Sequence, residues 1–305
     1  MTRIQFGWTM PLGMPDKSMR KDHLDFINRG LELVKSRFDS AWIVDHFQFD
    51  DRDVAEAWTA LSYVAALHPE FQFGHAVLCQ SFRNPGLVAK MAATLQNLSG
   101  GRFILGLGAG WKEDEYKAYG YDFPSAGVRV DQLEEYIHVI KTLWTEEKGT
   151  YLGEHYRVED AWFEPKPDPL PTIMVGAMQP RMIALAALHA DWWNVSWTNI
   201  EDYKKMVELS EQACEKLGRD PKSLRRTWFG GCLCAPTEAE LEELMGGHKF
   251  NPDGIMGTPQ QVIDQMGAFM DLGVDYFMFG AAGIPKLTTL ETLMSDVIPE
   301  LDKRG

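Results

Sequence analysis

The sequence predicts an α/β protein built as a TIM-type (β/α)8 barrel with loop insertions, and three observations carry that prediction. Eight short apolar runs recur along the 305 residues. Stretches of helical period separate them. The runs are apolar throughout instead of alternating, as strands of a parallel sheet covered on both faces must be, and the helices between them supply the crossovers. An open doubly wound sheet more often stops at about five to seven strands, whereas eight strand–helix units fill a barrel of about 250 residues and leave a surplus for loops.

In chain order the strand candidates are "RIQFGWTM", "SAWIVDHF", "FQFGHAVL", "RFILGLGA", "TIMVGA", "ADWWNVSW", "RTWFGGCLCA" and "VDYFMFGA". Ahead of the fourth run, Val88, Met91, Leu95 and Leu98 recur on one helical face; after it, Val130, Leu133, Ile137, Ile140 and Trp144 do the same. Tyr203, Met206, Val207, Cys214 and Leu217 mark the helix after the sixth run. Two segments exceed what a barrel needs. Residues 151–171, "YLGEHYRVEDAWFEPKPDPLP", are too rich in proline and charge for a core helix, and 244–259, "LMGGHKFNPDGIMGTP", precede the last helix and strand. Both read as long loops. No Ser/Gly-rich linker or composition break divides the chain, so residues 1–305 read as a single domain.

Lys and Arg total 30 against 44 Asp and Glu, a formal net charge of -14. Such a surface repels a phosphate backbone, so no nucleic-acid partner is expected. Cys79, Cys214, Cys232 and Cys234 include one C-x-C pair, no C-x-x-C and no accompanying histidine cluster, so no metal is expected and the thiols read as reduced. No apolar run approaches the roughly 18 residues of a membrane helix. The opening "MTRIQFGWTMP" shows neither a charged leader nor an apolar h-region. A cytoplasmic protein, off the membrane, is the expectation.

In a (β/α)8 barrel the active site lies at the C-terminal strand ends. That rule selects Trp8 to Met10, Asp45 to Phe47, Ala76 to Cys79, Gly108 to Trp111, Gly176 to Met178 and Asn194 to Trp197. Together they describe an aromatic mouth with little charge, suited to a planar ring and a small-molecule substrate. Asp45-His46 is its most polar pair, and an imidazole beside a carboxylate at a strand end is a candidate proton donor or acceptor. A histidine is more often a surface or hydrogen-bonding residue, and the other seven (His23, His68, His75, His138, His155, His189 and His248) read as structural.

Gly106-x-Gly108-x-Gly110 fails the dinucleotide fingerprint, because the third glycine should fall where Trp111 stands and no acid ends a second strand about 20 residues on. Alternate glycines let the strand turn tightly, and they could leave room for a cofactor against the backbone. "VGAMQPRM" runs into a helix beginning near Pro180, whose free N–H groups could hold a phosphate beside Arg181. Glu113 and Glu115 read as a solvated first helical turn.

"FDSAWIVDHFQF", "RNPGLVAKMAATLQNLSGGRFILGLGAGWKEDEYKAYGYDFPSAGVRVDQLEEYIHVIKTLWTEE", "YLGEHYRVEDAWFEPKP" and "GTPQQVIDQMGAFMDLGVDYFMF" together resemble the luciferase-like monooxygenase superfamily over nearly the whole chain. Within it the sequence is most similar to the branch that uses coenzyme F420, a 5-deazaflavin that carries hydride. The resemblance implies an oxidoreductase moving hydride between F420 and a small organic substrate. Reduced-FMN monooxygenation on the same barrel is the alternative, and a non-catalytic flavin-binding or partner subunit a further one. It also implies that Asp45 and His46 approach the reactive edge of the ring, with His46 as proton donor or acceptor. By the same resemblance, a non-prolyl cis peptide at Ala76-Val77 backs the ring and Cys79 touches it. Ala109, Gly110 and Asp114 surround the cofactor's side chain, while Gly176, Ala177 and Met178 form the phosphate corner, where many relatives are richer in glycine. Trp8, Trp111 and Trp197 are the expected substrate-facing rings. Relatives that oxidise a sugar phosphate carry a glutamate at the position of Trp111, which disfavours that substrate. Homodimers are common among relatives.

Overall fold

The structure, a computed structural model, describes residues 3–303. Its strands are Gln5–Thr9 (β1), Ser40–Ile43 (β2), Gln72–His75 (β3), Leu78–Cys79 (β4), Phe103–Gly108 (β5), Lys148–Leu152 (β6), Arg157–Trp162 (β7), Thr172–Gly176 (β8), Trp192–Ser196 (β9), Arg225–Cys234 (β10), Ile255–Gly257 (β11) and Val274–Ala281 (β12). The main sheet is parallel throughout and closes on itself. β1 lies between β2 and β12; β3, β5, β8 and β9 continue from β2; and β10 pairs with both β9 and β12. β3 and β4 are two parts of one barrel strand, broken at the cis Ala76-Val77 peptide and both laid along β5. All eight expected runs therefore form the barrel wall.

The helices are His23–Val34 (α1), Ala57–Leu67 (α2), Pro85–Leu98 (α3), Glu113–Ala118 (α4), Ala126–Thr145 (α5), Pro180–His189 (α6), Ile200–Lys216 (α7), Glu238–Met245 (α8), Pro259–Asp271 (α9), Thr288–Thr292 (α10) and Ile298–Asp302 (α11). Their starts are written locally. Asn84 caps α3 by accepting from the Gly86 N–H at 2.9 Å with Pro85 in the first position, and Thr258 with Gln261 forms a capping box on α9.

Strand alternation divides the side chains between two layers. Trp42, Ala76, Ile104, Met174, Tyr276 and Met278 fill the barrel interior, where Trp42 Nε1 donates to Ser40 Oγ at 2.5 Å and that hydroxyl also bonds Tyr276. Their neighbours Phe6, Trp8, Phe73, Phe103, Val175, Trp193 and Phe277 pack outward in the layer shared with the helices.

The insertions are more ordered than loops. Within and just ahead of 151–171, β6 and β7 form an antiparallel ribbon against α5. Its tight end is held by the Glu135 carboxylate, which accepts from the N–H groups of Glu154, His155 and Tyr156 at 2.8 to 2.9 Å. A two-stranded ribbon with most side chains in water leaves no apolar alternation to read. In 244–259, α8 ends at Met245 and β11 adds a short strand beside β10, leaving an irregular segment between them. No described helix is long and apolar enough to cross a membrane.

Candidate active site

Residues at the end of β2 take two opposite courses. The Asp45 side chain is fully buried and accepts from Arg83 Nη1 at 2.8 Å, Arg83 Nη2 at 3.0 Å and the Cys79 N–H at 2.9 Å. Burial pushes its pKa up against the pull of Arg83 and the N–H donor. Arg83 also pairs with Glu56, whose carboxylate caps α2 at Trp58 N and Thr59 N. Both oxygens of Asp45 are thus engaged by protein.

His46 turns the other way. Its Nδ1 lies 3.0 Å from Glu115 Oε2, and Glu115, only 1% exposed, also accepts from the backbone N–H groups of Phe47 and Gln48. A carboxylate on the Nδ1 side places the proton there and leaves Nε2 with a free lone pair. Phe49 and Trp111 stand edge-on to the imidazole, at centroid distances of 5.1 and 6.0 Å. Glu115 is the candidate site residue that the sequence reading missed. It is not a solvated turn: α4 folds its first turn back over the end of β2, and only the neighbouring buried Tyr116 hints at an inward face there.

The glycines after β5 are filled by protein. A Cβ on Gly106 would strike the His75 carbonyl, one on Gly108 the Val77 side chain, and one on Gly110 the Tyr116 hydroxyl and Cys79 Sγ. Gly110 also sits at φ +78°, where a side chain is disfavoured. The expectation that these glycines clear a cofactor's tail is corrected accordingly. Val77, displaced into the barrel after the cis peptide, lies over Gly108 of β5 and Gly176 of β8 and so forms the floor of the mouth. The Tyr116 hydroxyl meets Ser81 Oγ at 2.9 Å and Cys79 Sγ at 3.0 Å. Burial pushes the Cys79 thiol up to about 11, so it is no thiolate.

Other expected residues divide. Trp8 faces outward, edge-on to Phe26 of α1 at 6.2 Å, and closes over Gly30. It lies in the core, away from the mouth, because the inward position at the end of β1 belongs to Thr9. Asp114 is exposed and bound to Lys112 and Gln48 Nε2, away from the strand corner. Ala109 and Gly110 do sit at that corner, against Tyr116. Gly176, Ala177 and Met178 lead into α6, whose cap residue Gln179 supplies no side-chain bond, so the first N–H groups of the helix have no side-chain cap. Arg181 is tied to Asp131 and the Gly127 carbonyl. Trp197, at φ +48° after the end of β9, lays its ring over Gly231 of β10 near Phe250. Thr9 Oγ1 and Asn194 Oδ1, buried on inward positions, have no hydrogen-bond partner. A floor of Val77 and glycine, orphaned inward polar atoms and an uncapped helix end fit a flat ring with a phosphate-bearing tail.

A closed parallel barrel whose strand ends carry a histidine bonded to a buried carboxylate has the architecture of a (β/α)8 enzyme with its site at that face. The sequence model described as luciferase-like monooxygenase matches residues 35–254, and the chain belongs to that family. It is 38% identical over 307 residues to an F420-dependent glucose-6-phosphate dehydrogenase of Kineococcus radiotolerans, covering 89% of this chain and 91% of the relative. To the F420-dependent hydroxymycolic acid dehydrogenase of Mycobacterium tuberculosis it is 31% identical over 314 residues, covering 93% and 86%. In fold it matches an F420-dependent secondary alcohol dehydrogenase, solved with an F420-acetone adduct, at a TM-score of 0.84 and 22% identity over 98% of this chain and 99% of that one.

Proposed function

We propose that this chain is a coenzyme F420-dependent oxidoreductase that interconverts an alcohol and a carbonyl group on a small, largely apolar organic substrate. The observation that carries the reading is the His46–Glu115 pair, with Nδ1 engaged and Nε2 open among aromatic rings. When bound, the deazaflavin supplies hydride chemistry. His46 Nε2 would accept the substrate's hydroxyl proton in alcohol oxidation, and the imidazolium would return it in carbonyl reduction. Glu115 holds the ring in the correct tautomer and stabilises its charged form. Phe49, Trp111 and Trp197 limit water at the reacting carbon.

The substrate class rests on charge. Lys112 is paired with Asp114, and Arg83 with Asp45 and Glu56, so neither offers a free cation to a phosphate. Trp111 stands where the acid of sugar-phosphate oxidisers is expected. The uncapped start of α6, with Gly176, Ala177 and Met178, would hold the cofactor's phosphate. One domain carries all of this, since the ribbon packs on α5 and β11 extends β10. The four buried, unpaired thiols support a cytoplasmic setting. Exposed Leu98 lines a cavity of about 400 Å³ formed by residues of α2 and α3, and Tyr63, Leu67 and Leu87 are exposed on the same two helices, which supports a homodimer joined through them.

Equilibrium binding of F420 and of FMN to the purified chain, followed by anaerobic turnover of secondary alcohols read from F420 absorbance, tests the reading. Tight F420 binding with alcohol-dependent reduction is expected. Tight FMN binding without F420 binding would overturn it in favour of the FMN monooxygenase. Ring binding with no turnover by any electron donor would favour a flavin-binding subunit.

A further inference from the structure

A second cluster of ligand-type side chains lies on the outside of the barrel, where α5 meets α6. Glu134 and His138 are four residues apart on α5 and so share one helix face. His189, the last residue of α6, faces them. One ligand atom from each of the three lies within 4.8 Å of the others, and the His138 and His189 rings meet edge-on at 4.7 Å. The His189 side chain is 94% buried, since only 6% remains exposed, yet its Nε2 has no hydrogen-bond partner and stands 3.8 Å from Glu134 Oε1. An imidazole nitrogen sealed from water is costly unless something completes it.

We propose that Glu134, His138 and His189 form a divalent transition-metal site, filled by Zn2+ with water as a further ligand. Two imidazoles and one carboxylate are a borderline donor set that favours zinc and its neighbours over magnesium or calcium. Ligands about 2.0 to 2.1 Å from a tetrahedral zinc lie roughly 3.3 Å apart, so small side-chain rotations close the cluster on an ion. The surroundings hold the ligands in place. Tyr151 of the ribbon stacks on His138 at 5.7 Å and 10° between planes, and Lys141 Nζ donates to the His189 carbonyl at 2.8 Å, fixing the end of α6 against α5. Glu134, 42% exposed, leaves a path for ion entry and for the water. Bound metal would clamp α5, α6 and the ribbon together, away from the strand ends that carry the chemistry.

The test uses the full-length chain without a histidine tag, stripped of metal by a chelator. Titration with Co2+ should give visible ligand-field absorption that saturates at one ion per chain and is displaced by Zn2+, and Zn2+ should raise Tm by a few degrees. His138→Asn and Glu134→Gln, both at the partly open side, should each weaken binding at least about tenfold and abolish the Tm rise. His248→Ala, on an exposed loop, should change neither. Absence of saturable binding, or binding retained in His138→Asn or Glu134→Gln, overturns the proposal.

Discussion

Glu115→Gln separates orientation of the histidine from its presence. In the native site one carboxylate oxygen accepts from the N–H groups of Phe47 and Gln48, while the other faces His46 Nδ1 at 3.0 Å. An amide cannot present its NH2 to two N–H donors, so its oxygen stays with the backbone and its NH2 turns to His46. Nδ1 must then accept, the ring proton moves to Nε2, and the base is lost. The charge that stabilises the imidazolium goes with it. A histidine in the wrong tautomer without its carboxylate costs about 10²- to 10⁴-fold in kcat, or roughly 3 to 5 kcal/mol of barrier. Because the backbone donors remain satisfied, F420 affinity and Tm should hold close to native values. Glu115→Ala is the contrasting variant: it strands two partly buried N–H groups at about 1 to 3 kcal/mol each and should lower Tm as well. Steady-state turnover across pH, F420 binding by fluorescence and thermal melts decide the matter. A Gln variant within about threefold of native kcat at every pH would refute the reasoning, and so would a loss explained by weaker F420 binding.

Two further outcomes follow from the packing around the site. Gly110→Ala drives a methyl into the Tyr116 hydroxyl and Cys79 Sγ at φ +78°, so it should cost well over about 2 kcal/mol in denaturant unfolding. Gly120→Ala, at φ +76° with nothing within 4 Å, should cost about 1 kcal/mol; equal losses would show that Tyr116 does not occupy the glycine's space. Glu56 carries the pH prediction. Although burial opposes it, bonds to Thr59 and Arg83 hold its carboxyl down at about 2, below the usual 4.5. A depressed pKa contributes stability that is present above 4.5 and fades as pH falls toward 2. With the side chain 39% exposed, solvent reduces the contribution to about 1 kcal/mol. Glu56→Gln should therefore lower stability at pH 7 and flatten its loss between pH 5 and 2; an unchanged acid limb in stability against pH would contradict the pairing.

The barrel was legible because its strands are short, largely apolar runs buried on both faces, a pattern that leaves little else to build. His46 was legible for a different reason, since a strand-end rule needs only position. That rule is blind to parity, however. Trp8 and Thr9 both end β1, and only the pleat decides that the indole packs on α1 while the hydroxyl turns inward. Glu115 lay beyond local reading because its partner is 69 residues away, and three acids opening a short helix look alike until the chain folds back. The glycines told of close approach correctly, but the approaching groups, Val77, Tyr116 and the His75 carbonyl, come from other segments.

On the proposed reading, Asp45 and His46 divide scaffolding from chemistry at the end of β2. Adjacent residues in an extended segment point to opposite sides, so one carboxylate and one imidazole leave the end of β2 in different directions. Asp45 binds the β4 backbone through Cys79 and reaches α2 through Arg83 and Glu56, which locks three segments around a buried charge. A buried, paired carboxylate of this kind fixes geometry more than it adds stability. His46 inherits that fixed backbone, and a second carboxylate from α4 sets only its ring. Removing Asp45 would therefore displace the histidine, whereas Glu115→Gln leaves it in place with its proton on the wrong nitrogen.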